Sequence, residues 1–433
     1  MDNLTPNNPS TDWKKPFFIV WTGQVFSLLG SGLVQFALVW WLTQTTGSAV
    51  VLASATLAAI LPQIFLGPFA GALVDRWNRR LVMMVADSAI AAATIFLAFL
   101  YWSGVIQPWH VFVILFLRSL GGVFHYNAMQ ASTSLMVPER HLARVAGLNQ
   151  TLQGAMNIAT PPLGALLLGL LQMYYVLAID VVTAALAVTT LLFVAIPQPA
   201  RKDASEIVTP TILMRDVREG LRYVAAWPGL IAILVMAMLI NFLYTPASTL
   251  MPLMITNHFH GTAWHLGVME SFWGIGVVAG GLILSVWGGF KRKVFTSMAG
   301  LIGMGSGALL VGLTPGTAFG MAVMGYAISG FMNPIVNGPL MAFLQSRVAP
   351  EMQGRVFSLI NSASMAMMPL GTLAAAPVAT WLGIPAWFIA AGLVTAAMGM
   401  VGFAIPVIAN IERDMKPLSA AVEISVAASE IAQ

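Results

Sequence analysis

Four ionisable residues stand inside long apolar runs of this sequence: Asp87, Arg118, Asp180 and Glu270. A charge surrounded by hydrocarbon costs roughly 2.5–3.5 kcal/mol on insertion scales, so each such residue is a candidate for function. Arg118 is followed at helical spacing by Gly122, His125 and Met129, which places a cation, a small residue, an imidazole and a thioether on one face. Glu270 shares a face with Gly274, Val277 and Gly281, where small residues let a neighbouring helix or a ligand approach. A carboxyl at low dielectric can trade a proton for an arriving cation. A glutamate at the aqueous mouth of a vestibule would need no such chemistry, and the residues alone leave both readings open.

Charge is concentrated once more, in "GALVDRWNRR" at 71–80, although only 8% of the residues are charged. The chain is 58% apolar over 433 residues, too greasy to cover itself as a soluble globule. It therefore belongs in a bilayer. A helical span needs about 20 mostly apolar residues. Twelve runs qualify: 17–42, 49–74, 81–103, 107–136, 142–171, 174–196, 227–257, 263–288, 292–313, 317–347, 354–383 and 386–410. No small-residue cleavage site follows the first run, so the first helix is expected to stay as an anchor. Of the 20 Lys and Arg, all but Arg118 fall in the N-terminal segment, in alternate loops or in the C-terminal tail. Basic residues mark the cytoplasmic side, so both termini are expected in the cytoplasm. The net charge of +4 then reflects topology and gives no sign of a nucleic-acid partner. The chain has no cysteine, which excludes disulfides and thiolate metal sites.

The longest polar interruption, 197–226, divides the runs six and six. Thr209 as N-cap, Pro210 after it, and apolar Ile212, Leu213, Val217, Leu221 and Val224 suggest an amphipathic helix on the inner membrane surface; a solvated connector is the alternative. The expected organisation is a tail (1–16), a six-helix bundle (17–196), the linker (197–226), a second bundle (227–410) and a tail (411–433). The halves echo each other. In 126–148 and 336–359, Asn127 matches Asn337, Pro138-Glu139 matches Pro350-Glu351, and Arg144-Val145 matches Arg355-Val356. Symmetry at half the chain length points to two related bundles around a shared site.

The 71–80 stretch resembles the loop motif between the second and third helices of the major facilitator superfamily, with Gly71, Asp75, Arg76, Arg79 and Arg80 in the matching places. Asn78 stands where the motif has a second glycine, a tolerable departure because asparagine reaches the left-handed conformation readily. The segments "FLRSLGGVFHYNAMQA", "NHFHGTAWHLGVMESFWGIGVVAGGLIL" and "GRVFSLINSASMAMMPLG" are similar to the drug:proton antiporter branch that contains the bacterial macrolide-efflux proteins. The resemblance implies an all-α membrane protein with twelve transmembrane helices in two pseudo-symmetric six-helix bundles. It also implies a latch, in which Asp75 meets the start of the eleventh helix, around Gly354 to Ser358, only when the inner gate is shut. Arg118 sits in "RSLGGVF", similar to a fourth-helix arginine motif of proton-coupled exporters, although Gly121 replaces the usual glutamine. Proton coupling or gating is therefore expected of it, with a structural ion pair as the alternative. Asp87 and Asp180 fall on helices that the family places peripherally. Asp87 is expected to answer an arginine of the 71–80 loop or Arg118, and Asp180 to cap or hydrogen-bond near the outer surface. A direct transport role is the alternative for each. "ATPPLGALLLG" resembles the glycine-proline motif of antiporters at Pro161 and Gly164, and a double proline frees carbonyls that neighbouring helices must satisfy.

A site near the midplane, as transporters of this kind have, would draw on Gln24, Ser31 and Gln35 of the first helix, His125 of the fourth, Asn241 and Tyr244 of the seventh, Asn333 and Asn337 of the tenth, and Asn361 of the eleventh. A few of the 26 methionines would line it for amphiphiles. His258, His260 and His265 read as solvated loop residues, so no metal is expected, and no cofactor. No GxxxxGK[ST] phosphate loop occurs, which disfavours an intrinsic ATP-driven pump. The resulting expectation is a multi-pass protein of the bacterial inner membrane that exports cationic or hydrophobic amphiphiles, macrolides among them, in exchange for protons. An exporter of siderophores or other amphiphilic metabolites is one alternative; a subunit supporting a partner ATPase is another.

Overall fold

The computed structural model describes residues 13–74, 77–197, 218, 221–348 and 350–412. Among these, twelve long helices succeed one another: α1 (Lys14–Thr46), α2 (Ala49–Val74), α3 (Arg79–Trp102), α4 (Pro108–Met136), α5 (Glu139–Leu170), α6 (Met173–Phe193), α7 (Pro228–Leu253), α8 (Ala263–Trp287), α9 (Lys293–Leu313), α10 (Phe319–Arg347), α11 (Pro350–Leu382) and α12 (Ile384–Ala404). A π-helical turn, Met254–His258, prolongs α7, and one further turn, α13 (Pro406–Ala409), follows α12. Eleven of the twelve are long and apolar enough to cross a bilayer. The other, α5, is diluted in its first half by Arg140, Arg144, Asn149, Gln150 and Gln153. Most of the linker, with Thr209, Pro210, Ile212, Leu213 and Val217, lies outside the described residues.

Short connections with their own capping logic fold the chain back and forth. Gly47 ends α1 in the left-handed conformation (φ 57°), which its missing side chain permits, and its N–H reaches the Thr43 carbonyl at 2.9 Å. Between α4 and α5, extended Val137 precedes Pro138; between α10 and α11, extended Val348 stands just before the Pro350 that opens the next helix. Both valines are buried, and their N–H groups close the preceding helix on Thr133 O (3.0 Å) and Leu344 O (2.9 Å). The sequence echo at these two places is therefore an echo of structure.

The packing repeats as well. In the first half α1 lies on α5 and α6, α2 on α4, and α3 on α4 and α6; adding six to each number gives the contacts of the second half. The halves meet along two equivalent seams, α5 against α8 and α2 against α11. The molecule is thus two pseudo-symmetric six-helix bundles.

Its two ends differ. At the end holding the α1–α2, α3–α4 and α7–α8 connections, one apolar core unites both halves: Leu38, Leu42 and Leu52 belong to the same cluster as Leu250, Met251 and Met254. At the opposite end, which carries the basic loops, each half has a core of its own. Phe17, Met83 and Val145 belong to one; Leu230, Met298 and Phe343 belong to the other. Among the described residues, the halves share one apolar core at the far end and have separate cores at the basic end.

Candidate functional site

Between the halves lies a cavity of about 710 Å³, lined mainly by α1 to α4, with Ser362 and Met365 of α11 as its second-half contribution. Leu115 lines it and also belongs to the shared far-end core, so that core closes the cavity on one side. Gln24, Ser31 and Gln35 all line it, as their common side of α1 requires, and so do Arg118, Gly122 and His125 from one face of α4. Asp87 completes the ionisable lining apart from Tyr126. Gln63, Ser119 and Asn127 also reach the cavity; Gln63, a polar residue in the apolar α2, carried a sequence signal that went unread.

The four intramembrane charges are not equivalent. Arg118 Nη1 lies 2.5 Å from Asp180 Oδ2 and donates to Thr94 Oγ1 as well. Thr94 Oγ1 donates to Asp180 Oδ2 at 3.0 Å, and Ser31 Oγ to Asp180 Oδ1 at 3.1 Å. Asp180 is completely buried and caps no helix end; of the two expectations for it, hydrogen bonding rather than capping describes its place. It stands two turns into α6, where Gly30 of α1 lets the two helices close over it, and it serves as the counter-ion of the α4 arginine.

Asp87 also departs from expectation. Its partners are neither Arg118 nor the arginines of the loop, but Gln24, whose Nε2 donates to Oδ2 at 3.3 Å, and His125, whose Nε2 is 3.5 Å from Oδ1. Arg118 is already engaged by Asp180. Arg79 reaches the Ala131 carbonyl at 2.8 Å, and Arg80 binds the Leu191 and Leu192 carbonyls at 2.6 Å each, at the negative end of α6. Asn78 is extended (φ −67°, ψ 107°) rather than left-handed, because it acts as the N-cap of α3, accepting from Leu81 N at 3.1 Å. The corresponding corner of the second half is capped by different contacts: Glu412 accepts from Val294 N at the start of α9 (2.7 Å), and Lys293 donates to the Gly288 carbonyl at the end of α8 (2.7 Å). Gly71 faces Asn127 across α4, whereas Asp75 and Arg76 lie outside the described residues.

Glu270 is half-buried, faces the Tyr326 hydroxyl on α10, and does not line the cavity. The second-half polar residues expected there are also turned elsewhere. Asn241 donates to the Ala237 carbonyl and Asn337 to the Asn333 carbonyl, each at 3.0 Å on its own helix; Tyr244 donates to the Met304 carbonyl at 3.0 Å. Asn361 is exposed, one helical step away from the lining residue Ser362. The histidines of the α7–α8 connection have structural work. His258 Nε2 meets the Thr314 carbonyl at 2.8 Å, His265 accepts from Thr262 N at 3.1 Å, and His260 takes a left-handed turn (φ 52°).

The double proline shapes a seam. Helix α5 runs unbroken through Pro161 and Pro162, and Gly164 packs against Phe36. Pro162 has no N–H for the Ile158 carbonyl four residues earlier, and the hydroxyl of Ser271 on α8, shared with the Gly267 carbonyl of its own helix (2.7 Å), reaches it at 3.0 Å. Gly267 and Gly274 on the same face of α8 give α5 room to approach.

Comparison with known proteins agrees with this architecture. The chain is 35% identical over 390 residues to Macrolide efflux protein A of Streptococcus pyogenes, covering 90% of this chain and 96% of the relative. It is 26% identical over 417 residues to Multidrug efflux pump Tap of Mycobacterium tuberculosis, covering 92% and 95%. Its fold matches a crystal structure of the nucleoside transporter NupG with a TM-score of 0.62 at 15% identity, covering 88% of this chain and 98% of that one. A POT family transporter structure gives a TM-score of 0.65 at 11% identity, covering 89% and 96%. The profile of the Major Facilitator Superfamily matches residues 20–372. Repeated six-helix packing, a cavity between the halves and this match together identify the chain as a transporter of the Major Facilitator Superfamily.

Proposed function

We propose that the protein is a secondary active exporter of the bacterial cytoplasmic (inner) membrane, moving hydrophobic or cationic amphiphiles such as macrolide antibiotics outward in exchange for protons. Both termini and the basic end face the cytoplasm, following the positive-inside rule. The bundles then comprise 17–196 and 227–410, with tails at 1–16 and 411–433 and a linker at 197–226. The observation that carries this reading is the cavity, in whose wall apolar Leu28, Ile64, Ile90 and Met365 alternate with polar and charged Gln24, Gln35, Asp87, Arg118 and His125, and which borders the shared far-end core at Leu115. A mixed apolar and polar lining suits an amphiphile, and the efflux relatives supply the direction.

The arrangement corresponds to an inward-open state. Outward opening requires the far-end core to part and the basic ends to approach, and in that state Asp75 meets the start of α11 as a latch. The joint at Pro161, Gly164 and Ser271 is where α5 turns against α8. Glu270, beside Tyr326 and outside the cavity lining, takes no part in this coupling scheme.

Purified protein in proteoliposomes, given labelled erythromycin and an imposed pH gradient without ATP, tests this directly. Accumulation that collapses with a protonophore is expected. Flux that requires ATP and a partner subunit would overturn the reading.

A further inference from the structure

Within this cavity the charges are unequally committed. Arg118 is spent on Asp180, which also takes bonds from Thr94 and Ser31, so that group is satisfied internally. Asp87 is different. Among the described lining residues it is the one carboxylate, and its neighbours are incompletely bonded. His125 Nε2, 3.5 Å from Asp87 Oδ1, makes no hydrogen bond. Gln24 is 3% exposed, donates its amide nitrogen to Asp87, and leaves its buried Oε1 with no partner. A buried acceptor without a donor is destabilising unless something else occupies it. The groups acting on Asp87 are thus Gln24 from α1, His125 from α4 and, at longer range, Asp180 from α6.

We infer that Asp87, His125 and Gln24 form the exchange site of the cavity, at which a proton on His125 and the cationic group of an amphiphile compete for the same carboxylate. The inference rests on the reading of this cavity as the transport site. When His125 carries a proton, imidazolium neutralises Asp87 and a second cation has no unbalanced charge to meet. When His125 gives its proton to water, Asp87 is left as a bare carboxylate. A monocation then enters against Asp87, and a protonated amine also donates to Gln24 Oε1. One proton leaves for each monocation bound, and the charge at the site is unchanged. Glu270 has no part in the exchange.

The test is equilibrium binding of rhodamine 6G, a fluorescent lipophilic cation, to the purified full-length protein in detergent from pH 5.5 to 8.5. Wild type should bind at least about tenfold more weakly at the acid end. His125→Gln should keep tight binding and lose the pH dependence, whereas Asp87→Asn should lose about tenfold or more at alkaline pH, with Asp87→Glu restoring part of it. Calorimetry in buffers of different ionisation enthalpy gives an independent readout that a merely structural role would not move: in wild type, proton release that approaches one per cation at the acid end and falls to none at the alkaline end, and none at either end in His125→Gln. Retention of the wild-type pH slope by His125→Gln, unimpaired binding by Asp87→Asn, or abolition of the slope by Glu270→Gln would each overturn the inference. If binding behaves as expected but proteoliposomes show no gradient-driven flux, the export reading fails and the exchange site stands.

Discussion

The two halves repeat each other in topology but are held together by different means. In the first, side chains join the helices: Arg118, Asp180, Thr94 and Ser31 link α1, α3, α4 and α6 through ions and hydroxyls. In the second, backbones lie almost in contact. A Cβ added at Gly276 would stand 2.8 Å from Phe331 N, one at Gly300 3.0 Å from Val336 N, and one at Gly312 2.8 Å from Ile389 N. Glycine packing gives close, direction-specific association in a bilayer without any charge. The difference teaches that the same topology can be tied together by a buried ion pair in one bundle and by close backbone contact at glycines in the other.

Breaking the ionic half should have the largest effect. Arg118→Ala leaves Asp180 buried and unpaired, and we expect about 3–5 kcal/mol of destabilisation, read as a lowered melting temperature in detergent. Arg118→Met with Asp180→Leu should recover most of it; a single variant that melts like wild type would contradict the role given to the pair. The glycine-packed half should yield next. Gly276→Val forces α8 off α10 and should cost about 1–3 kcal/mol. Gly169→Ala, where nothing lies within 4 Å, should change stability by less than about 0.5 kcal/mol. Equal effects of the two would remove the distinction between the halves.

Between the halves, Ser271→Ala leaves the Ile158 carbonyl without its donor. We expect a loss of stability of about 1 kcal/mol, read as a lowered melting temperature in detergent. Arg80→Gln, which weakens the cap on α6, should cost the least, about 0.3–1 kcal/mol, and less in high salt.

The sequence reveals the helices well, because span length and proline placement are local properties. The expected run 49–74 coincides with α2, α1 extends its expected run by a few residues at both ends, and α5 does so by a few residues toward the basic end. The face of α1 bearing Gln24, Ser31 and Gln35 and the face of α4 bearing Arg118 and His125 are also legible, since helical spacing alone aligns them. The pairing of Arg118 with Asp180 is not. In a helix as uniformly apolar as α6, no polar stripe reports which way Asp180 points, and its depth depends on Gly30 of another helix. For the same reason the asparagines of α7 and α10 misled, because an asparagine inside a membrane helix can satisfy its amide on its own backbone and contribute nothing to a cavity.

The central claim is that two stiff bundles exchange openness between their ends. Because the chain contains no cysteine, spin labels at introduced pairs report on those sites alone. Labels at Gln130 and Ser346, both exposed at the basic end, and at Ser103 and Thr317, both exposed at the far end, can be followed as pH and rhodamine 6G are varied. The account predicts that the basic-end distance shortens in the same samples in which the far-end distance lengthens. Distances that change in the same sense at both ends, or at one end only, would contradict it.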